Sequence, residues 1–315
     1  MSEYNFKRIS TERYKDVAIL YLKTFGVKLS LDEIRNKFDT DQFGLSHIGY
    51  IAYNREGDPS AYYGVFPIVM TTGSIDYLVA QSGDTMTAPE HQRKGLFTQL
   101  AKYTYQLAKK EQVKLIFGFP NKYSYPGFKH KLDWDFTGHM QIFEISNFSI
   151  PTSELIYKYG YLRSWYKNKC KQILSPHLID LADKNISCFS HVSENSNIKK
   201  NRTFFEYKIN TGNCFLLKID KFTLLVKPHS HLLIGDVAWF DITQTASFIK
   251  TLKSLGRKLN SMKTVLSLSE NHWLFTYLID YGLQAKQSLH IGFLSIDHSV
   301  SYNSMEFIRA DYDTF

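Results

Sequence analysis

The residues between Asp84 and Ala101 have the types and spacing of an anion-binding turn. Gln92, Arg93, Lys94 and Gly95 lie between a strand-like run, Ile75–Thr87, and a segment in which Leu96, Phe97, Leu100, Tyr103, Thr104, Leu107 and Ala108 recur at helical intervals. A helix that starts there points its unpaired N–H groups and the positive end of its dipole outward. Gly95 has no side chain to keep a ligand away from the backbone. Strand, tight turn and helix together are a phosphate-binding geometry, and His91 just before the turn offers a further phosphate contact.

The elements that must position this turn follow from hydrophobic periodicity. Tyr4–Ile9 reads as a strand, and Thr11–Phe25 as a helix with Tyr14, Val17, Ala18, Tyr21 and Phe25 at helical spacing, capped by Ser10 or Thr11. A second helix is expected over Leu31–Phe38. Ile48–Asn54 and Ala61–Met70 read as antiparallel strands around the turn residues Arg55 to Pro59. After the Asp84–Ala101 stretch come a strand, Val113–Phe119, and a short helix. The order β-α-α-β-β-β-α-β-α predicts an α/β (α+β) fold.

On these residues the chain resembles a known family. Gln92-x-x-Gly95-x-Phe97 is similar to the Gln/Arg-x-x-Gly-x-Gly/Ala signature of the GNAT (GCN5-related) N-acetyltransferases, whose loop amides hold the pyrophosphate of acetyl-CoA. Phe97 departs from it, which demands that its ring turn into the core while its N–H still faces the phosphates. The strand Val113–Phe119, then Pro120-Asn121-Lys122-Tyr123-Ser124, then Lys131-Leu132-Asp133-Trp134 resembles the family's strand–Asn–helix ending in Leu-Gly-Phe. The resemblance implies that Met86 and Thr87 pair with the pantetheine arm. It implies that Gln92, Arg93, Lys94, Gly95, Leu96 and Phe97 surround the pyrophosphate, and that Asn121 and Ser124 add contacts from the neighbouring strand. Asp84, on the same strand and face as Met86, is the candidate general base, with a solvated strand-end carboxylate as the competing reading. Lys129 stands where many members carry an acid Tyr, which leaves Tyr125 as the candidate acid.

Beyond this stretch the chain is long enough for two domains: 315 residues, 43% of them apolar. The expected boundaries are 1–147 for the acetyl-CoA-binding domain, 148–200 for a basic helical linker, and 201–315 for a degenerate GNAT-like half that completes the acceptor site. The strand–Asn–helix ending recurs at Ser269–Leu283, whereas no glycine loop of the Gln/Arg-x-x-Gly kind lies between 205 and 265. One acetyl-CoA per chain is therefore expected. In the second half Phe215–Ile219, Phe222–Val226, Leu232–Phe240 and Thr264–Ser269 read as strands, with a break at Lys227-Pro228, and Ile242–Gly256 as a helix. Residues 153–174 read as one helix with Leu155, Tyr159, Leu162, Tyr166 and Ile173 on a single face. It is expected to pack between domains, with a peripheral contact to an anionic membrane surface as the alternative. From Lys184 to Lys200 the chain turns polar, and residues 193–197 read as a loop.

Charge and cysteine usage narrow the partners. The net charge is +8, divided as +2 over residues 1–150, +7 over 151–235 and −1 over 236–315. A basic centre suits a phosphate-bearing partner, while the absence of any nucleic-acid reading motif argues against nucleic acid. Cys170, Cys188 and Cys214 are odd in number and widely spaced, which fits buried thiols in a reducing cytoplasm. No apolar run reaches the roughly 20 residues of a membrane-spanning helix, and no leader is recognised at the start. His229-x-His231 lacks the further ligands a metal needs, so no metal is expected. The resemblance points to an acetyl-CoA-dependent N-acetyltransferase of tandem form acting by direct transfer on a small amine or amino-sugar-type acceptor. The alternatives are a Fem-like aminoacyl transferase of cell-wall synthesis, against which the intact loop counts, and a non-catalytic GNAT-like binding protein.

Overall fold

The structure is a computed structural model that describes residues 3–160, 162–181, 196–238, 242–298 and 300–315. Cys188, residues 193–195 of the expected loop and the Trp239-Phe240 end of an expected strand lie outside the described residues. In chain order the first elements are β1 (Asn5–Arg8), α1 (Tyr14–Phe25), α2 (Leu31–Phe38), β2 (Ile48–Tyr53), β3 (Pro59–Thr72), β4 (Ile75–Thr87), α3 (Leu96–Lys110), β5 (Leu115–Gly118) and α4 (Tyr125–Lys131). There follow β6 (Asp135–Ser146), α5 (Thr152–Tyr159), α6 (Arg163–Leu174), β7 (Asn197–Ile198), α7 (Arg202–Gly212), β8 (Phe215–Ile219), β9 (Phe222–Pro228), β10 (Leu232–Val237), α8 (Thr245–Lys258), β11 (Lys263–Ser269), α9 (Leu274–Asp280) and β12 (Ala285–Ser295).

The chain divides into two compact units, Met1–Thr137 with Leu289–Asn303, and Gly138–Ser288 with Ser304–Phe315. The expected boundaries at 147 and 201 are drawn along the sequence, whereas each of these units is discontinuous in it. Each unit takes residues from the far side of the other in sequence, because strand pairing joins Leu115–Gly118 to Ser295–Gly292 in antiparallel register. No local periodicity encodes such a pairing.

In the first unit β1 to β4 form an antiparallel series, β5 lies parallel to β4, and the second half of β12 closes the sheet beyond β5. One face carries α3 and α4 over Val65, Ala80, Leu100, Leu107, Ile116, Phe128 and Trp134. The other carries α1 and α2 over Val17, Leu20, Ile34, Phe38, Phe66 and Met86. Each such side chain contributes roughly 1.5–3 kcal/mol when fully removed from water. Local signals agree with these packings. Gly26 ends α1 in the left-handed conformation at φ 66°, and Ser30 with Glu33 forms a reciprocal capping box at the start of α2.

The second unit contains a sheet in the order β6-β11-β10-β9-β8, with β10 parallel to β11 and the other neighbours antiparallel. It repeats the plan of a parallel strand pair followed by a short helix, here α9. The single helix expected over 153–174 is two helices. Gly160 at φ 74° and Leu162 at φ 64° break it, so α5 buries Ile156 while α6 buries Tyr166, Cys170 and Leu174. Leu155, Tyr159 and Leu162, expected to share one face with Tyr166, are exposed while Tyr166 is buried. The Lys227-Pro228 pair does not break β9. Pro228 is its last residue, where the missing N–H costs no ladder bond.

Candidate active site

The site is built on an irregularity in β4. Tyr62 pairs with Met86 and Gly64 with Gly83, so two β4 residues, Asp84 and Thr85, stand opposite Tyr63 alone. Asp84 takes up this bulge in the left-handed region at φ 51°. The extra residue reverses the parity of the strand. Ala80 faces the α3 side, whereas Met86 belongs to the α1/α2 core. The bulge also re-aims the end of the strand. β4 and β5 pair at Ala80↔Ile116 and Gln81↔Phe117, and no further pair joins them among the described residues, although β5 stays paired to β12 through Gly118↔Gly292. From Ser82 onward the two parallel strands therefore diverge as a fork, with the β5-side edge of Ser82–Thr87 open.

The anion-binding turn stands at the end of the same strand. A short turn of 3-10 helix, Pro89–His91, leads into Gln92, Arg93 at φ 63° and Gly95 at φ 76°. Gly95 is the residue before the first turn of α3, and no side chain caps that helix. The first N–H bonded back into the loop is that of Gln99, to the Gly95 carbonyl at 3.2 Å. A Cβ built on Gly95 would meet only Gln99 Nε2, at 3.6 Å, so the space above the backbone is open while the dihedral itself disfavours any side chain. These features fit a pyrophosphate. Gln92 Nε2 lies 3.5 Å from the Thr87 carbonyl. Lys94 turns aside to Glu3 at 2.9 Å and lies over the Tyr4 ring, and His91 Nδ1 meets the Tyr4 hydroxyl at 2.9 Å. Leu96 is buried. Phe97 is turned into the core, its ring edge-on to Tyr63 and Phe128 at 5.9 and 5.1 Å, which leaves its backbone in the first turn of α3.

Asp84 is not a solvated strand-end carboxylate. Its Oδ1 lies 2.6 Å from Lys37 Nζ of α2. Lys37 also donates to the Tyr21 hydroxyl at 3.3 Å and stands 5.1 Å over the Phe66 ring. Burial and the charge of Asp84 push Tyr62 well above the usual phenol range. Across the fork, Asn121 Oδ1 accepts the N–H groups of Tyr123 and Ser124 at 2.9 and 3.1 Å, so it holds the entry to α4. Ser124 Oγ returns to the Asn121 carbonyl at 3.4 Å. Tyr125 stacks on His290 at 3.9 Å, and its hydroxyl accepts from Lys129 at 3.0 Å.

Sequence reasoning missed Lys37, Ser82, Tyr63, Tyr105 and His290. Lys37 and Asp84 are 47 positions apart and His290 is 165 from Tyr125, and no spacing signal links them. His229 and His231 serve local contacts, to Ser230 and Glu154, each at 3.1 Å. Burial depresses His229 to about 4, so it stays neutral.

A bulged β4, a fork against β5 and a glycine turn opening α3 together define a GNAT fold. Residues 5–137 match the family model described as the acetyltransferase (GNAT) domain. No curated protein sequence matches it. Among solved structures it is similar to a GCN5-related N-acetyltransferase from Kribbella flavida, at 11% identity and TM-score 0.60 over 93% of this chain and 71% of that one. It is similar also to Saccharomyces cerevisiae N-myristoyltransferase with bound myristoyl-CoA, at 9% and 0.55 over 93% and 82%. A GCN5-related N-acetyltransferase from Sphaerobacter thermophilus matches at 9% and 0.53 over 96% and 99%. At these identities the likeness is one of fold. Among the described residues no helix is long and apolar enough to cross a membrane.

Proposed function

We propose that the first unit catalyses acyl-CoA-dependent N-acylation, with acetyl-CoA as donor and the amine of a small molecule as acceptor. The observation that carries this reading is the joint placement of two features on one strand. The fork gives an open backbone edge over Ser82–Thr87, and the same strand ends at an uncapped helix start with Gly95 at φ 76°. A pantetheine arm needs the first and a pyrophosphate the second. Met86 and Thr87 supply the edge, Gln92 to Phe97 the phosphate cradle, and Asn121 and Ser124 the opposite rim. For direct transfer the acceptor amine must lose a proton, and Asp84 is the acidic side chain at the bulge suited to receive or hold it.

Calorimetric titration with acetyl-CoA and with longer acyl-CoA thioesters tests the donor, and thiol release across a panel of amines and amino sugars tests the acceptor. Gly95→Glu puts bulk and negative charge where the pyrophosphate is held. It is expected to weaken acetyl-CoA binding at least a hundredfold while costing about 1–2 kcal/mol of stability from the left-handed backbone. Unchanged affinity in this variant sinks the reading. Binding with no release on any amine favours a binding protein over an enzyme.

A further inference from the structure

Four side chains of the first unit form a single hydrogen-bonded chain that ends at the fork. Trp134 Nε1 donates to the Tyr105 hydroxyl at 3.0 Å, Tyr105 meets the Tyr63 hydroxyl at 3.1 Å, and Tyr63 meets Ser82 Oγ at 2.8 Å. The direction of its first link follows from its first member. An indole N–H only donates, so Tyr105 accepts there, and in the two links that follow each hydroxyl can serve as donor or acceptor. Burial raises Tyr63 to about 12 and Tyr105 well above the phenol range, so both keep their protons. Linked donors strengthen one another in a low-dielectric core. In the polarity that runs from Trp134 to the fork, Tyr63 donates to Ser82 Oγ and the Ser82 hydroxyl keeps its own proton to give.

Ser82 stands at the apex of the fork. It follows Gln81, the last β4 residue paired with β5, and a Cβ on Gly118 of β5 would lie 3.2 Å from Ser82 Cβ. A side chain on Gly118 would be tight there, with the Trp134 ring 3.3 Å from the same Cβ. Five residues of strand separate Ser82 from Thr87 at the phosphate end, about 17 Å at strand rise. An extended pantetheine arm, two amide-linked units and a cysteamine, has a comparable reach. An arm that starts at the glycine turn therefore brings its sulfur near Ser82.

We propose that Ser82 is the hydrogen-bond donor to the leaving sulfur, and that Tyr63, Tyr105 and Trp134 are positioning residues that fix and polarise it. The proposal rests on the acyl-CoA reading above. In the step concerned the amine lone pair forms the C–N bond, the C–S pair departs to sulfur as thiolate, and the amine proton goes to the carboxylate of Asp84 and on to solvent. Ser82 transfers no proton, since an alcohol is far less acidic than a thiol. It stabilises the developing S⁻ as a preorganised dipole.

The test is the titration of the thiol of bound CoA, followed by thiolate absorbance and by the pH dependence of CoA affinity. In the wild type the bound thiol is expected to ionise at lower pH than in solution. Ser82→Ala should return it to the solution value and weaken CoA binding above that pH by about ten- to a hundredfold, leaving affinity at low pH unchanged. Tyr63→Phe and Tyr105→Phe keep Ser82 and should lose part of the shift, which a merely structural role would not touch. Ser82→Thr should retain it. Identical thiol titrations in wild type and Ser82→Ala overturn the proposal, as does a shift lost in Tyr125→Phe but kept in Ser82→Ala. Failure of the wild type to bind CoA at any pH overturns the acyl-CoA reading itself, and the two failures are thereby distinct.

Discussion

The Asp84 and Lys37 side chains meet at 2.6 Å with 6% and 15% of their surfaces exposed, so neither charge is well hydrated and each depends on the other. Removing one member of such a pair strands the other's charge and typically costs about 3–5 kcal/mol. Asp84→Asn keeps a hydrogen-bond acceptor beside Lys37, so its cost falls toward the lower end. This makes the single variant ambiguous, since lost turnover could reflect lost structure. A cycle resolves it. Asp84→Asn should lower turnover by about 10²–10⁴-fold, the range of a general base, and lower the unfolding free energy. Adding Lys37→Met removes the stranded charge and should restore most of the stability without restoring turnover, with acetyl-CoA affinity nearly constant throughout. Recovery of turnover in the double variant would show that Asp84 acts only by pairing with Lys37.

At the scale of elements, each unit has a bulged strand parallel to a short one, but the two forks are filled differently. In the second unit β10 shifts register between Ile234 and Asp236, and among the described residues it pairs with β11 from Leu232 to Ile234 and not beyond. The β11 edge beyond that point is taken by the chain itself. Ser269 and Phe307 exchange hydrogen bonds, Phe307 N–H to Ser269 Oγ and Ser269 N–H to the Phe307 carbonyl, both at 2.9 Å, and Leu268 bridges Ile308. Asp311 is tied to Asp236 through Lys200, at 2.6 and 3.1 Å. With Phe307 and Ile308 paired to that edge, the β11 side of the second fork is occupied by the chain itself among the described residues. A calorimetric stoichiometry of one acetyl-CoA per chain is expected, and two would contradict it. The sequence made the bulged strand legible as a strand, with the bounds Ile75–Thr87, because its apolar run and flanking turns are local signals. It made the glycine turn legible because Gln92, Gly95 and the apolar spacing of α3 lie within one short stretch. It hid the bulge, since Asp84 is an ordinary polar residue whose left-handed backbone is imposed by pairing with β3. The filling of the second fork was hidden for a similar reason. The partners of Ser267–Ser269 lie some 40 positions on, where no period connects them.

At the scale of the whole molecule, buried lysines set a pH signature of stability. Lys208 of α7 is buried, and its ammonium donates to the Tyr312 carbonyl at 2.6 Å. Loss of hydration lowers its pKa from 10.5 to about 8, only partly offset by Asp311. Below about pH 8 the lysine is charged in both the folded and unfolded chain, and the folded state carries the full burial cost. Between about 8 and 10.5 the folded chain has released this proton while the unfolded chain still holds it. The unfolded state then binds more protons, so the unfolding free energy rises with pH. The rise attributable to Lys208 is about 2 kcal/mol between pH 7 and 9.5 at 1.4 kcal/mol per pKa unit. Cys170 and Cys214, raised to about 11 by burial, act in the opposite sense above pH 9, because the unfolded thiols ionise first. Their contribution is common to wild type and Lys208→Met and cancels in the difference. Denaturant unfolding of both proteins at pH 7, 8, 9 and 9.5 should therefore show the wild type gaining on Lys208→Met by about 2 kcal/mol across the series. A difference that stays constant with pH would mean that Lys208 does not lose its proton on folding, and that the carbonyl of Tyr312 and the charge of Asp311 suffice to keep a buried ammonium ionised.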